Sequence, residues 1–365
     1  MHKVYSSLLD SLKTHSKKDL SVAVGFDGFI DSIVKPVLST TENTGKYFPT
    51  ISSFGEYLCS KASLSCSIEL DVLLEKAGGN MPIYASALSA SGISCDLIGS
   101  LGYPEVHETF SNFAENINVT SVADYGKCLA LEFEDGKVML SESGGTTSVD
   151  FPLLIKNVGK PGLIKWLENS DAFALLNWSE LPGMMSVWRG LLDEVLPSVT
   201  FDRLKLMLVD ISDCSRRSES DIVDMLKMIT EFGKFINVVF SLNLNESQLV
   251  CKALGKVGDS PIDAGVYIYE TLNPHLLVLH LLDGALIYEN SNPVYIPNYR
   301  IESPKTSTGG GDNFNAGLIA GLLMDFSCDE SVAMANAMSS FYVENSRSAS
   351  IDEVIEYIKS HHLKI

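Results

Sequence analysis

Near the carboxyl end, Thr308-Gly309-Gly310-Gly311-Asp312-Asn313-Phe314 combines residue types suited to a transferring phosphate. Glycines lack Cβ atoms, so three in a row let backbone N–H groups converge on one point. The apolar spacing of Phe314, Leu318, Ile319 and Leu322 opens a helix there, which adds unpaired donors and the positive end of its dipole. Such a place holds anionic oxygens. Asp312, in the first turn, either caps the helix or acts as a base facing the bound anion. No Gly-Lys-Ser/Thr follows, so this is not a Walker loop.

Other chemistry-bearing residues sit where predicted strands end. An apolar strand over 20–26 runs into Gly25-Phe26-Asp27-Gly28-Phe29-Ile30-Asp31, offering two carboxylates to substrate hydroxyls or, alternatively, the chemistry of a plain turn. Gly78-Gly79-Asn80 turns into a small-residue helix that stops at Gly92, before a strand over 95–98. Asn177-Trp178 closes another strand and either lines a pocket or packs. Asp210 and Asp213 precede Arg216-Arg217, an anion clamp or a solvated turn. Asn243 and Glu246 follow a strand over 236–241. There the carboxylate can organise the water shell of Mg²⁺ while the amide donates, although the same pair makes an ordinary helix cap.

Together these stretches resemble the ribokinase-like (PfkB) carbohydrate kinases. Thr308, Gly309, Gly311, Asp312, Phe314 and Gly317 match the family's carboxyl-terminal signature, with Gly310 in place of Ala and Thr306 in place of Asp. Gly78, Gly79 and Asn80, with the helix and glycines after them, match its second signature. The resemblance covers roughly residues 20–345. It implies a three-layer α/β/α fold with a mostly parallel central sheet and a small β lid. It also implies transfer from Mg²⁺·ATP to a hydroxyl of a sugar or sugar-like molecule, with Asp312 as base and the amides of Gly309, Gly310 and Gly311 as anion hole. Gly78, Gly79, Asn80, Asn177 and either Asp31 or Asp27 would bind the acceptor. Asn243, Glu246, His280, Gly284, Thr308 and Asn336 would border the nucleotide, with Glu246 holding Mg²⁺ through water. His280-Leu281-Leu282-Asp283-Gly284 keeps only the last glycine of the family's pattern at that place. A nucleoside or polyol kinase of the same fold, or a non-catalytic ligand-binding relative, is the alternative.

The elements that must position these residues follow from the remaining pattern. Strands over 172–176, 204–211, 236–241 and 276–281 alternate with helical stretches, as in a parallel sheet covered on both faces. A helix is expected over 106–117 and another over 331–343; residues 38–76 are Ser/Thr/Asn-rich and then helical from Ser53. Segments 128–133 and 137–141 flank Glu134-Asp135-Gly136, a hairpin signal. The expected organisation is one kinase domain over 1–365, its lid built from segments about 33–55 and 118–145 and able to pair two copies of the chain.

Composition sets the outer limits. The chain has 365 residues, 45% hydrophobic and 20% charged, an ordinary globular balance with ample core. Lys+Arg 27 against Asp+Glu 46 gives a net charge of −19, which argues against a nucleic-acid or anionic-membrane partner. Seven scattered cysteines without C-x-x-C spacing read as reduced packing residues, and no stretch approaches the length of a membrane span. A cytoplasmic protein is expected.

Thr306 carries its own expectation. In many relatives the segment before the glycines helps form a monovalent-cation site, and a neutral hydroxyl coordinates a cation more weakly than a carboxylate. Turnover in tetramethylammonium buffer should therefore change little when K⁺ replaces tetramethylammonium at constant ionic strength. A several-fold rise specific to K⁺ would show that the carboxylate is dispensable there.

Overall fold

The computed structural model describes residues 3–15, 19–41, 44–256, 260–306 and 308–363. Its strands in chain order are β1 (Ser21–Phe26), β2 (Phe29–Thr41), β3 (Thr44–Tyr47), β4 (Leu70–Gly78), β5 (Ser94–Ser100), β6 (Ile117–Ala123) and β7 (Gly126–Phe133). There follow β8 (Gly136–Glu142), β9 (Ala172–Leu175), β10 (Leu206–Asp210), β11 (Asn237–Asn243), β12 (Leu276–His280), β13 (Gly284–Tyr288) and β14 (Val294–Pro297).

β1, β9 and β10 are buried along their whole length, as strands covered on both faces must be. They belong to a nine-stranded sheet of order β14-β13-β12-β11-β10-β9-β1-β5-β6. Neighbours are parallel from β6 through β12; only the β12–β13 and β13–β14 pairs are antiparallel. The side chains of β1 divide between two cores. Val22 and Val24 join one, with the helices Asn80–Ala90, Gly310–Leu323 and Cys328–Asn345, while Ala23 and Phe26 join the other, with Glu219–Phe232 and Pro261–Leu272. This is the three-layer α/β/α architecture expected from the sequence.

A second sheet of five strands stands apart. Its long strand β2 pairs antiparallel with β3 and β4 and parallel with β7, and β7 forms a hairpin with β8. β2 begins three residues after β1 ends, and β4 runs straight into the helix Asn80–Ala90. The small sheet thus grows out of the carboxyl edge of the large one.

Several local expectations shift. The helix expected over 106–117 shrinks to Glu108–Ser111, because only Phe110 is fully buried there and Asn116 turns its amide onto the backbone of Ser89 and Ile93. The helix expected from Ser53 starts at Ile51, where Thr50 and Ser53 form a capping box. β4 arises in a stretch with no strand expectation, since Val72, Leu73 and Leu74 give no alternation and are all exposed. All seven cysteines are free. Among the described residues no helix is long and apolar enough to cross a membrane.

The helix carrying Asp312 is fixed by close packing. A Cβ on Gly317 would lie 2.7 Å from Ala335 Cα, and one on Gly321 2.7 Å from Ser331 Cα. Glycine in a helix ordinarily costs about 1 kcal/mol against alanine. Gly55→Ala, with open space around it, should therefore gain about 0.5–1 kcal/mol. Gly317→Ala should instead lose about 1 kcal/mol or more, because overpacking outweighs propensity. Urea unfolding of the two variants checks this, and a stabilised Gly317→Ala would show that the two helices do not meet so closely.

Candidate active site

Parallel strands place all their carboxyl ends along one edge, where the chain leaves the sheet and side chains converge. Register makes the convergence tight: Gly25 lies opposite both Ile98 and Leu175, Asp210 opposite Ser241, and Asn243 opposite His280. The edge forms the floor of a cavity of about 710 Å³, in the range of small-ligand sites. Asp31, Gly79, Asn80, Asn177, Asn243, Glu246, His280, Thr308, Gly309, Gly311 and Asp312 all line it. Residues more than 200 positions apart in sequence meet here.

The small sheet supplies the opposite wall. Asp31 on β2, Cys128 on β7 and Ser141 on β8 stand side by side in one cross-strand row, and all three face the cavity with Phe29 and Met139.

Asp27 and Asp31, rivals in sequence, take different places. Asp27 is fully buried, and its carboxylate accepts from the backbone N–H groups of Asn80 (2.7 Å) and Met81 (2.8 Å) and from Asn177 Nδ2 (2.9 Å). It therefore caps the helix Asn80–Ala90 from a neighbouring strand end and ties the β9 loop to it. Burial raises its pKa, while these donors pull it down. Asp31 sits on the cavity wall. Any side chain on Gly78 would collide with its carboxylate, a Cβ there falling 2.2 Å from Oδ1. Gly78 thus lets Asp31 and β4 approach, without lining the cavity itself.

Asp312 occupies the first turn of Gly310–Leu323, after Gly309 in a left-handed conformation (φ 94°). It is buried, and its Oδ1 has no hydrogen-bond partner. Desolvation, then the charges of Asp210 and Asp27, raise its pKa well above the usual carboxylate value. The carbonyl oxygen Oδ1 of Asn177 is likewise buried and unpartnered. A Cβ on Gly309 would meet Tyr342 Oη at 2.7 Å, so that position needs glycine for space as well as for φ.

Glu246 caps and faces the cavity at once. Its carboxylate accepts from Asn243 N (2.9 Å) and Asn243 Nδ2 (2.6 Å), and its own N–H donates to Asn243 Oδ1 (2.9 Å). Burial, then the Asp210 charge, pushes Glu246 up to about 8. Asp210 accepts from Ser212 N at 2.8 Å and from Asn315 Nδ2, and burial pushes it up to about 6. His280 packs on Phe314, with ring centroids 5.0 Å apart, and desolvation lowers it to about 4, so it is neutral at pH 7.

Some predicted residues lie elsewhere. Asn336 is buried, its amide donating to Tyr5 Oη, Ile296 O and Pro297 O, which spends it on structure. Gly284 starts β13 beneath Tyr295 and the Ile296 carbonyl. Gly310 enters the helix against Val343 and Ser339. In the other direction, Asp210, Ser212, Glu180, Arg216 and the small-sheet residues Cys128, Met139 and Ser141 line the cavity. Asp210 lies in the expected strand 204–211 and, with Arg216, in the stretch read as an anion clamp or a solvated turn; Ser212 and Glu180 follow expected strand ends, and that position was the available signal.

Residues 11–361 match the prokaryotic ketohexokinase family. The chain belongs to that family. It is 25% identical over 337 residues to a ketohexokinase of Haloferax volcanii, covering 91% of this chain and 89% of the relative. Its fold is similar to phosphofructokinase-2 of Escherichia coli in complex with potassium (TM-score 0.68, 15% identity, 94% of this chain and 99% of that one). It is similar as well to Arabidopsis thaliana ribokinase complexed with ribose and ATP (TM-score 0.65, 14% identity, 94% and 99%). The protein is a carbohydrate kinase of the ribokinase type, a phosphotransferase with an alcohol acceptor.

The raised carboxylates fix a pH dependence. A carboxyl whose folded pKa exceeds its unfolded value keeps a proton that the unfolded chain releases, so stability falls as pH rises between the two. For Glu246 that window runs from the ordinary Glu value of about 4.3 up to about 8. The melting temperature of the ligand-free protein should fall between pH 5 and 8, and Glu246→Gln should flatten the slope. An equal or steeper fall in the variant would remove Glu246 from the cause.

Proposed function

We propose that the protein transfers the γ-phosphoryl group of ATP to a hydroxyl of a ketohexose. One observation carries the reading: Asp312, buried with Oδ1 free, opens a glycine-preceded helix and faces the same cavity as Asp31 and Asn80. In this reading Asp31, Gly79, Asn80 and the free Oδ1 of Asn177 hold the sugar's hydroxyls. Asp27 and Gly78 act from behind, fixing the helix and the β2–β4 approach. Asn243, Glu246, His280 and Thr308 border the nucleotide.

Asp312 accepts the hydroxyl proton as the sugar oxygen bonds to γ-phosphorus and the bond to the bridging β–γ oxygen breaks, releasing ADP. The N–H groups of residues 309–311 and the helix terminus stabilise charge on the equatorial oxygens. Burial, and after it the charges of Asp210 and Asp27, makes ionised Asp312 a stronger base than a free aspartate. Carboxylate oxygens at the cavity suit Mg²⁺. Glu246 would help hold the ion through water; among the described residues no cluster of three or more His, Cys, Asp or Glu could hold a metal by itself. Bound there, Mg²⁺ would neutralise nucleotide charge. The small sheet would close over the sugar and exclude water, and its exposed Val72, Leu73, Leu74 and Leu140 fit the expected pairing of two copies.

The acceptor assignment rests on the family and on the Haloferax relative. An ADP-release assay over ketohexoses, aldohexoses, pentoses, polyols and nucleosides with Mg·ATP tests it, and preferential nucleoside turnover would refute it. Asp312→Asn should lower kcat by roughly 10² or more with nucleotide affinity retained. Asp31→Ala should lower kcat/KM for the sugar by about 1–3 kcal/mol per lost hydrogen bond, and far less for ATP. Near wild-type turnover in Asp312→Asn would exclude it as the base.

A further inference from the structure

The cavity wall is acidic where a polyanion is expected to bind. Six carboxylates line it (Asp31, Glu180, Asp210, Asp213, Glu246 and Asp312), and among the described residues a single Lys or Arg, Arg216, joins them. The adjacent arginine is committed to structure. Arg217 donates to the carbonyl oxygens of Trp178 (2.9 Å), Ser179 (3.0 Å) and Leu181 (2.9 Å) and lies over the Trp178 ring at 4.7 Å. Arg216 has no such anchorage. Its side chain is 77% exposed, and among the described residues its hydrogen bonds go to the carboxylate of Glu180 alone, through Nη2. So exposed an ion pair contributes little and exchanges partners readily.

Position in the sheet says what the new partner is. Arg216 follows β10, which lies between β9 with the Asn177 loop and β11 with Asn243 and Glu246. On the reading above, the first loop serves the acceptor and the second the nucleotide, so the β10 loop stands where the phosphoryl group passes between them. We propose that Arg216 leaves Glu180 when nucleotide binds and clamps the phosphate oxygens of the polyphosphate chain, with Glu180 as a competing partner that holds the guanidinium in place until then. A planar guanidinium offers paired donors to two phosphate oxygens at once and strengthens its hold as charge builds up there.

This inference rests on the kinase reading, and its test separates the two. Mg·ADP affinity is measured by calorimetry without sugar, so an incorrect acceptor assignment leaves the binding comparison intact. Arg216→Gln should weaken Mg·ADP at least tenfold and lower kcat further, with an unchanged melting temperature. Arg216→Lys should recover part of both. Glu180→Gln, by removing the competitor, should tighten Mg·ADP several-fold in the wild-type background and leave it unchanged in the Arg216→Gln background. Nucleotide affinity and kcat within twofold of wild type in Arg216→Gln would overturn the proposal. So would an effect confined to the KM of a phosphorylated sugar, which would place the arginine on the acceptor instead.

Discussion

Four carboxylates taken out of water along one sheet edge set the terms for the rest of this structure. Burying an ionised carboxylate is costly unless donors replace its lost hydration. Each of the four meets that cost differently. Asp27 takes two backbone N–H groups and the Asn177 amide, and so binds three elements together. Asp210 takes Ser212 and Asn315, and Glu246 takes both donors of Asn243. Only Asp312 keeps an oxygen without a partner. Three of the four acids thus have both oxygens satisfied by the chain, and Asp312 has one that is not.

The same edge explains why the small sheet belongs to the site. β2 starts directly after Asp27, and β4 ends where the helix capped by Asp27 begins. Asp31 is carried by the small sheet, on β2 between β4 and β7, while Asp27 is tied to the helix and to Asn177.

Much of this was legible in the sequence because it is local. Residues 309–312 and 78–80 announce helix starts with open donors, and short, mostly apolar runs announce buried parallel strands. Asn243 and Glu246 stand at capping-box spacing, and the structure makes that cap while also turning it to the cavity. What was not legible depends on pairing at a distance. Asp27 and Asp31 look equivalent until the helix Asn80–Ala90 claims one of them. β4 lacks alternation because all of Val72, Leu73 and Leu74 remain exposed. Arg216 and Arg217 are identical side by side, and three carbonyl oxygens and the Trp178 ring for one, the Glu180 carboxylate for the other, distinguish them. Asn336 looked available for a ligand, yet contacts with Tyr5 and the β14 backbone occupy it.

The central claim is that the ligand-free site holds protons it must give up when a nucleotide and its counter-charges arrive. Calorimetric titration of preformed Mg·ADP at pH 7.5, repeated in buffers of different ionisation enthalpy, measures that transfer directly. With Glu246 raised to about 8 and Asp312 raised well above its usual value, the account predicts net proton release to the buffer, reduced in Glu246→Gln. A binding enthalpy independent of the buffer, or net proton uptake, would contradict it.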